Sequence, residues 1–288
     1  MTWEIFLDVF LDALKDSALV LAFVFLFHLI LSFIEDKMSK LLVKNRFTGP
    51  LLGSTFGLIP QCGTSVLAAD LYIKKLLTLG TVIATFLSCS DEALIVLLTH
   101  PNERTWMVLP LIGVKFIVGV AIGYFIDLIY REQKVEEAKE EEIHDVTCDG
   151  HHHKDTHLHK HLWHPLIHSL EIFAFVLVIN IILGVIIASV GEENFASFIE
   201  SNRYLAPLFG SLIGLIPNCA SSVLLSELFI GGNLSFGALL GGLLVNSGLG
   251  IMIMLTKKES IKKALLVLGI CFVVSLVVGY VTCLITTF

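Results

Sequence analysis

Gly57-Leu58-Ile59-Pro60-Gln61-Cys62 occurs a second time in the chain, as Gly214-Leu215-Ile216-Pro217-Asn218-Cys219. Residues 50–90 align without gaps on 207–247, keeping Gly53/Gly210, Ser54/Ser211, Ser65-Val66-Leu67/Ser222-Val223-Leu224, Ile73/Ile230 and Gly80/Gly237 in register. About eighteen of these positions are identical, more than shared apolar composition supplies, so the chain is internally duplicated. The apolar run 50–73 has Pro60 near its centre, and a proline cannot continue a helix. Each arm is then about a dozen residues, roughly 18 Å of helix, against a hydrocarbon core of about 30 Å. The pattern predicts a re-entrant hairpin of two half-helices meeting at residues 60–62, and a second one over residues 205–230.

Composition places these hairpins in a membrane. The chain is 55% hydrophobic and only 16% charged, with a mean hydropathy of +0.84, far from a soluble protein of 288 residues. The net charge of -7 excludes a nucleic-acid partner. The first apolar run, 17–34, follows Glu4, Asp8 and Asp12 rather than a basic segment, and reads as a retained helix instead of a signal peptide. Five of the six cysteines lie in apolar segments and Cys148 in a polar one, which is not a disulfide framework.

Taken in order, apolar spans are expected at 17–34, 78–98 and 106–129, then at 165–190, 235–255 and 264–286. Residues 131–163, rich in Glu and then in His, form a linker between a first repeat at 1–130 and a second at 164–288. The first helices also match, with Ala22-Phe23-Val24 facing Ala174-Phe175-Val176. The loop 35–47 is basic, whereas its counterpart 191–203 is acidic. Lys257, Lys258, Lys262 and Lys263 face a counterpart loop holding Arg104 alone. Opposite charge bias at equivalent loops predicts inverted-topology repeats, with both termini outside and the linker in the cytoplasm. The fold expected is therefore an all-α polytopic membrane protein. Each repeat has three full spans and a broken, re-entrant helical hairpin, about ten helical segments in all, or ten spans if the hairpin arms cross.

Inverted repeats with broken helices that meet near the midplane suit secondary transport. The two tips would bring Gln61, Cys62, Asn218 and Cys219 together, although a small buried Cys and a capping amide also have plain packing uses. The strongest chemical signal is Ser88-Cys89-Ser90-Asp91-Glu92 inside an apolar span, because intramembrane carboxylates mark ion or proton pathways. Lys115, in the next span, is the candidate partner for one of them, in an ion pair that could equally be structural. The second repeat carries Asn246-Ser247-Gly248 at the matching place, so the site is asymmetric. Asp70 and Glu227 are equivalent, eight residues past each tip cysteine, about 12 Å of helix, and read either as gates or as interfacial charges.

Histidines crowd the linker, at His151, His152, His153, His157, His159 and His161, and such a tract binds transition metals whatever its purpose. His164, His168 and Glu171 share one helix face at the start of a span, and the pseudo-equivalent segment holds Asp12 and Asp16. These are candidate auxiliary metal ligands.

The doubled Gly-Leu-Ile-Pro-Gln/Asn-Cys hairpins, the Ser88-Cys89-Ser90-Asp91-Glu92 stretch and the His-rich linker together resemble the ten-transmembrane heavy-metal exporter family. This is an arsenic-permease-like group whose members are labelled arsenic efflux protein or manganese transporter. The resemblance covers essentially the whole chain. It implies metal or metalloid efflux across the inner membrane of a prokaryote, without a resident cofactor. Carboxylate and amide oxygens favour a divalent cation such as manganese, with protons as the coupling ion, whereas Cys62, Cys219 and Cys89 would suit arsenite. No Walker A motif supplies ATP hydrolysis, and no His-Glu-x-x-His supplies a metalloenzyme, so the chain is read as a transporter rather than an enzyme. A metal sensor using the linker is a further alternative.

Overall fold

The computed structural model describes residues 47–60, 63–90, 93–99, 105–130, 204–216, 219–256 and 260–286, with isolated positions within 11–42 and 170–181. Among them every regular element is helical: α1 Gly49–Gly57, α2 Gly63–Ile73, α3 Leu79–Ser88, α4 Ala93–Thr99, α5 Val108–Ile129, α6 Ala206–Gly214, α7 Cys219–Ile230, α8 Phe236–Val245, α9 Gly250–Thr256 and α10 Ile261–Thr286, with a 3-10 turn at Thr105–Met107. The first span of each half and the linker 131–163 lie outside the described residues, isolated helical positions aside.

Proline opens each hairpin and ends its first arm. Pro50 and Pro207 stand in the first turns of α1 and α6, where a missing N–H costs nothing, and Pro60 and Pro217 follow the helix ends. The nine residues of α1 and the eleven of α2 give about 13 and 16 Å of helix, too short to cross a bilayer core. Both second arms finish in the same turn. Leu76 N–H donates to Leu71 O at 2.9 Å and Asn233 N–H to Leu228 O at 2.8 Å, across a left-handed residue at Lys75 (φ 61) and Gly232 (φ 82). Thr78 and Ser235 then cap the next helices, accepting from Thr81 N–H at 3.1 Å and Ala238 N–H at 3.3 Å.

Among the described residues four segments are long and apolar enough to cross a membrane: Leu79–Thr99, Thr105–Ile129, Phe236–Leu255 and Ile261–Thr286. They correspond to the four expected later spans, with a feature added. The first and third are each interrupted at mid-span, between α3 and α4 and between α8 and α9. In an apolar 18-residue stretch of each, 94% and 78% of these interrupted spans' residues are buried, against 28% in each of the other two. The broken helices therefore form the centre, while α5 and α10 turn Ile117, Phe125, Leu128, Val273, Val277 and Leu284 outward, as lipid contact requires.

Packing repeats between the halves. Helix α3 packs on α1, α2 and α5, and α8 packs on α6, α7 and α10. Glycines bring the backbones close: a Cβ added at Gly80 would lie 2.1 Å from Gly123 O, and one at Gly237 would lie 2.6 Å from Gly279 O. The halves also interleave, α2 against α9 and α7 against α4, with α3 against α8 between them. The buried stripe of α5 (Val108, Leu111, Lys115, Gly119, Gly123) has the spacing of the stripe of α10 (Ala264, Val267, Cys271, Ser275, Gly279). By that register Lys115 corresponds to Cys271.

Candidate functional site

A helix that stops inside a membrane leaves carbonyl and amide groups that need partners. At the end of α3 the chain turns extended at Cys89 (φ -54, ψ 123), which closes the last turn through its N–H to Phe86 O at 3.1 Å. Ser90 N–H then donates to Gly57 O at 3.1 Å, tying this break to the end of the first hairpin arm. Ser90 Oγ donates to Ser88 O at 3.0 Å. Cys89 and Ser90 are both buried.

The second half makes the equivalent link with side chains. Asn246 ends α8, its Nδ2 donating to Ser221 Oγ at 3.2 Å and its Oδ1 accepting from Gly248 N–H at 3.0 Å. Ser221 Oγ donates to Ile216 O at 2.9 Å, so the chain of bonds runs from the break to the end of the second hairpin's first arm. Gly248 takes a left-handed conformation (φ 56) that permits the turn. At Gly250 an added Cβ would lie 2.4 Å from Ser65 O, which puts the second break against the first hairpin. All four discontinuities are thereby gathered in one buried region containing Cys89, Ser90, Asn246 and Ser247.

Lys115 enters this region from α5. It is 1% exposed, and its ammonium donates to Cys89 O and, at 2.8 Å, to Leu243 O. Those acceptors are the C-terminal ends of α3 and α8, one from each half. Each helix end carries about half a negative charge, so two together balance one ammonium. The sequence reading has a carboxylate as the partner of Lys115. Two of its partners are carbonyls, and Asp91 and Glu92 lie outside the described residues.

Of the other expected site residues, Gln61, Cys62 and Asn218 lie outside the described residues, and Cys219 is described only as the first residue of α7. The second arm of each hairpin packs on the half-helix beyond the opposite break. Asp70 pairs with Lys74 at 3.2 Å within one turn near the end of α2, and Glu227 is half-buried at the equivalent place on α7. Asp12, Asp16, His164, His168, Glu171 and the linker histidines fall outside the described residues. Among the described residues no three His, Cys, Asp or Glu side chains form a metal-holding group.

Asp127 escaped the sequence reading. Its Oδ2 accepts from Thr78 Oγ1 at 2.7 Å and its Oδ1 from Gly80 N–H at 2.9 Å, fixing the end of α5 to the start of α3. The available signal was a carboxylate in the last turn of an apolar span, with Cys283 at the corresponding place in the other half.

A family model described as "Putative, 10TM heavy-metal exporter" matches residues 1–190 and 170–287. No curated protein and no solved structure matches the chain.

Proposed function

The chain belongs to this ten-transmembrane heavy-metal exporter family, and we propose that it is a secondary-active transporter exporting a divalent metal cation, manganese foremost, in exchange for protons. The observation that carries this reading is the meeting of four helix discontinuities around buried Cys89, Ser90, Asn246 and Ser247. Irregular backbone at membrane depth is tolerated where it lines a site, and half-helix ends are the usual donors there.

In this reading Asp91 and Glu92 supply the charge, following directly on Ser90. Gln61, Cys62, Asn218 and Cys219 close the site from the hairpin tips. Two carboxylates can hold one divalent cation or two protons with the same net charge, which makes antiport possible without an electrical penalty. The second repeat, with Asn246 and Ser247 opposite, adds oxygen donors without further charge. Inverted repeats would let the two halves expose this site to either side in turn. The matched packing of α1–α5 and α6–α10 supports such a repeat. Asp70 and Glu227 are the gates in this scheme, and the cytoplasmic linker with His164, His168 and Glu171, and Asp12 and Asp16 opposite, gathers metal at the entrances of a prokaryotic inner-membrane protein.

The test is manganese uptake into inverted vesicles under an imposed proton gradient. Asp91→Asn and Glu92→Gln are each expected to abolish gradient-driven uptake; wild-type transport by both would refute the assignment. A second reading, arsenite efflux, is favoured by one observation, the buried Cys89 thiol at the first break. If that reading holds, Cys62→Ser and Cys219→Ser remove arsenite resistance while the carboxylate variants retain it.

A further inference from the structure

Among the described residues Lys115 is the one charged side chain in the fully buried set, and it serves no single helix. Its ammonium bridges Cys89 O, at the end of α3, to Leu243 O, in the last turn of α8. Unwound carbonyls and half-helix C-termini are where transporters of this general build hold a monovalent coupling cation. We propose that the ammonium of Lys115 is a tethered substitute for such a cation: it occupies a monovalent-cation site between the two interrupted helices and latches the two halves together.

Three features support this. Both of these acceptors are backbone carbonyls at half-helix C-termini, groups that hold a coupling cation. The two helix ends bring about one negative charge between them, which a monovalent cation neutralises. The corresponding residue of the second half is Cys271, buried and uncharged, so one cation serves both breaks. Ser88 Oγ donates to Lys115 O at 3.3 Å, and the absence of a side chain at Gly119 allows this close approach of α5 to α3. The side chain is thus delivered from a fixed backbone. With the ammonium in place the protein needs no sodium or potassium there, and Lys115 acts as a positioning residue for the transport site. The inference does not depend on which metal is exported.

The experiment is thermal unfolding of the purified full-length chain, wild type, Lys115→Ala and Lys115→Met, in choline chloride and with added sodium, potassium or ethylammonium. Lys115→Ala removes the ammonium and leaves room for a free cation, while Lys115→Met fills the space with a neutral chain of similar length. The Ala variant is expected to unfold earlier than wild type in choline. Sodium, potassium or ethylammonium at roughly 100-fold above its Kd should then raise its midpoint by about 5 °C. Wild type and Lys115→Met should not respond. Folding of Lys115→Ala only when one of these cations is present supports the proposal equally. An Ala variant that responds no more than wild type or Met, or that stays unfolded in every salt, overturns it. Because the readout is stability, a failure here leaves the transport assignment standing, and the converse holds.

Discussion

Asp127 joins two helices through two part-buried hydrogen bonds, and removing an acceptor so that buried donors are left without it costs about 1–3 kcal/mol. Asp127→Ala is therefore expected to lower stability by about 2–3 kcal/mol in a chemical or thermal unfolding assay, and Asp127→Asn by less, since one oxygen remains. Asn246→Ala should cost about 1–3 kcal/mol, because it strips partners from Ser221 Oγ and Gly248 N–H inside the core. The contacts of Lys115 and Asp127 were not legible in the sequence, and the reason is physical. Two partners of Lys115 are carbonyls and one partner of Asp127 is an amide N–H, groups that every residue but proline possesses in full, so no residue type announces them. What sequence could read was the cost of placing Asp91, Glu92 and Lys115 in apolar runs.

The helix breaks within 50–73 and 205–230 were legible because proline forbids helix continuation whatever the surroundings. The breaks after Ser88 and Val245 were not, since neither run contains a proline there and hydropathy averages over them. Ser88-Cys89-Ser90 and Asn246-Ser247-Gly248 were read as side-chain chemistry, whereas their structural effect is to let the backbone depart from the helix and find partners across the break. Glycine positions distinguish packing from propensity. Gly214→Ala would bring a Cβ to 2.1 Å from Gly242 O, and Gly80→Ala to the same distance from Gly123 O. Each is expected to destabilise by about 1–3 kcal/mol. Gly113 and Gly269, at corresponding places on α5 and α10, have nothing within 4 Å, so their alanine variants should be neutral or stabilised by up to about 1 kcal/mol. Gly232→Ala should cost about 1–2 kcal/mol for a different reason, its left-handed backbone.

Across the whole molecule, duplication and interleaving act together. Each half supplies one hairpin and one interrupted span, and neither encloses the buried polar region alone, because α2 closes on α9 and α7 on α4. The duplication was legible as matched motifs in the sequence. The interleaving was not, since identity between repeats says nothing about which surfaces meet. Placing the substrate among the four discontinuities ties transport to residues from both halves, and manganese binding tests that claim most directly. Free aqueous manganese gives a six-line electron paramagnetic resonance signal that is lost on binding, so titration of the purified chain reads occupancy without transport. Wild type should bind manganese, and binding should weaken at least tenfold in both Asp91→Asn and Asn246→Ala, one from each break. Unchanged affinity in both variants would contradict a shared site between the broken helices.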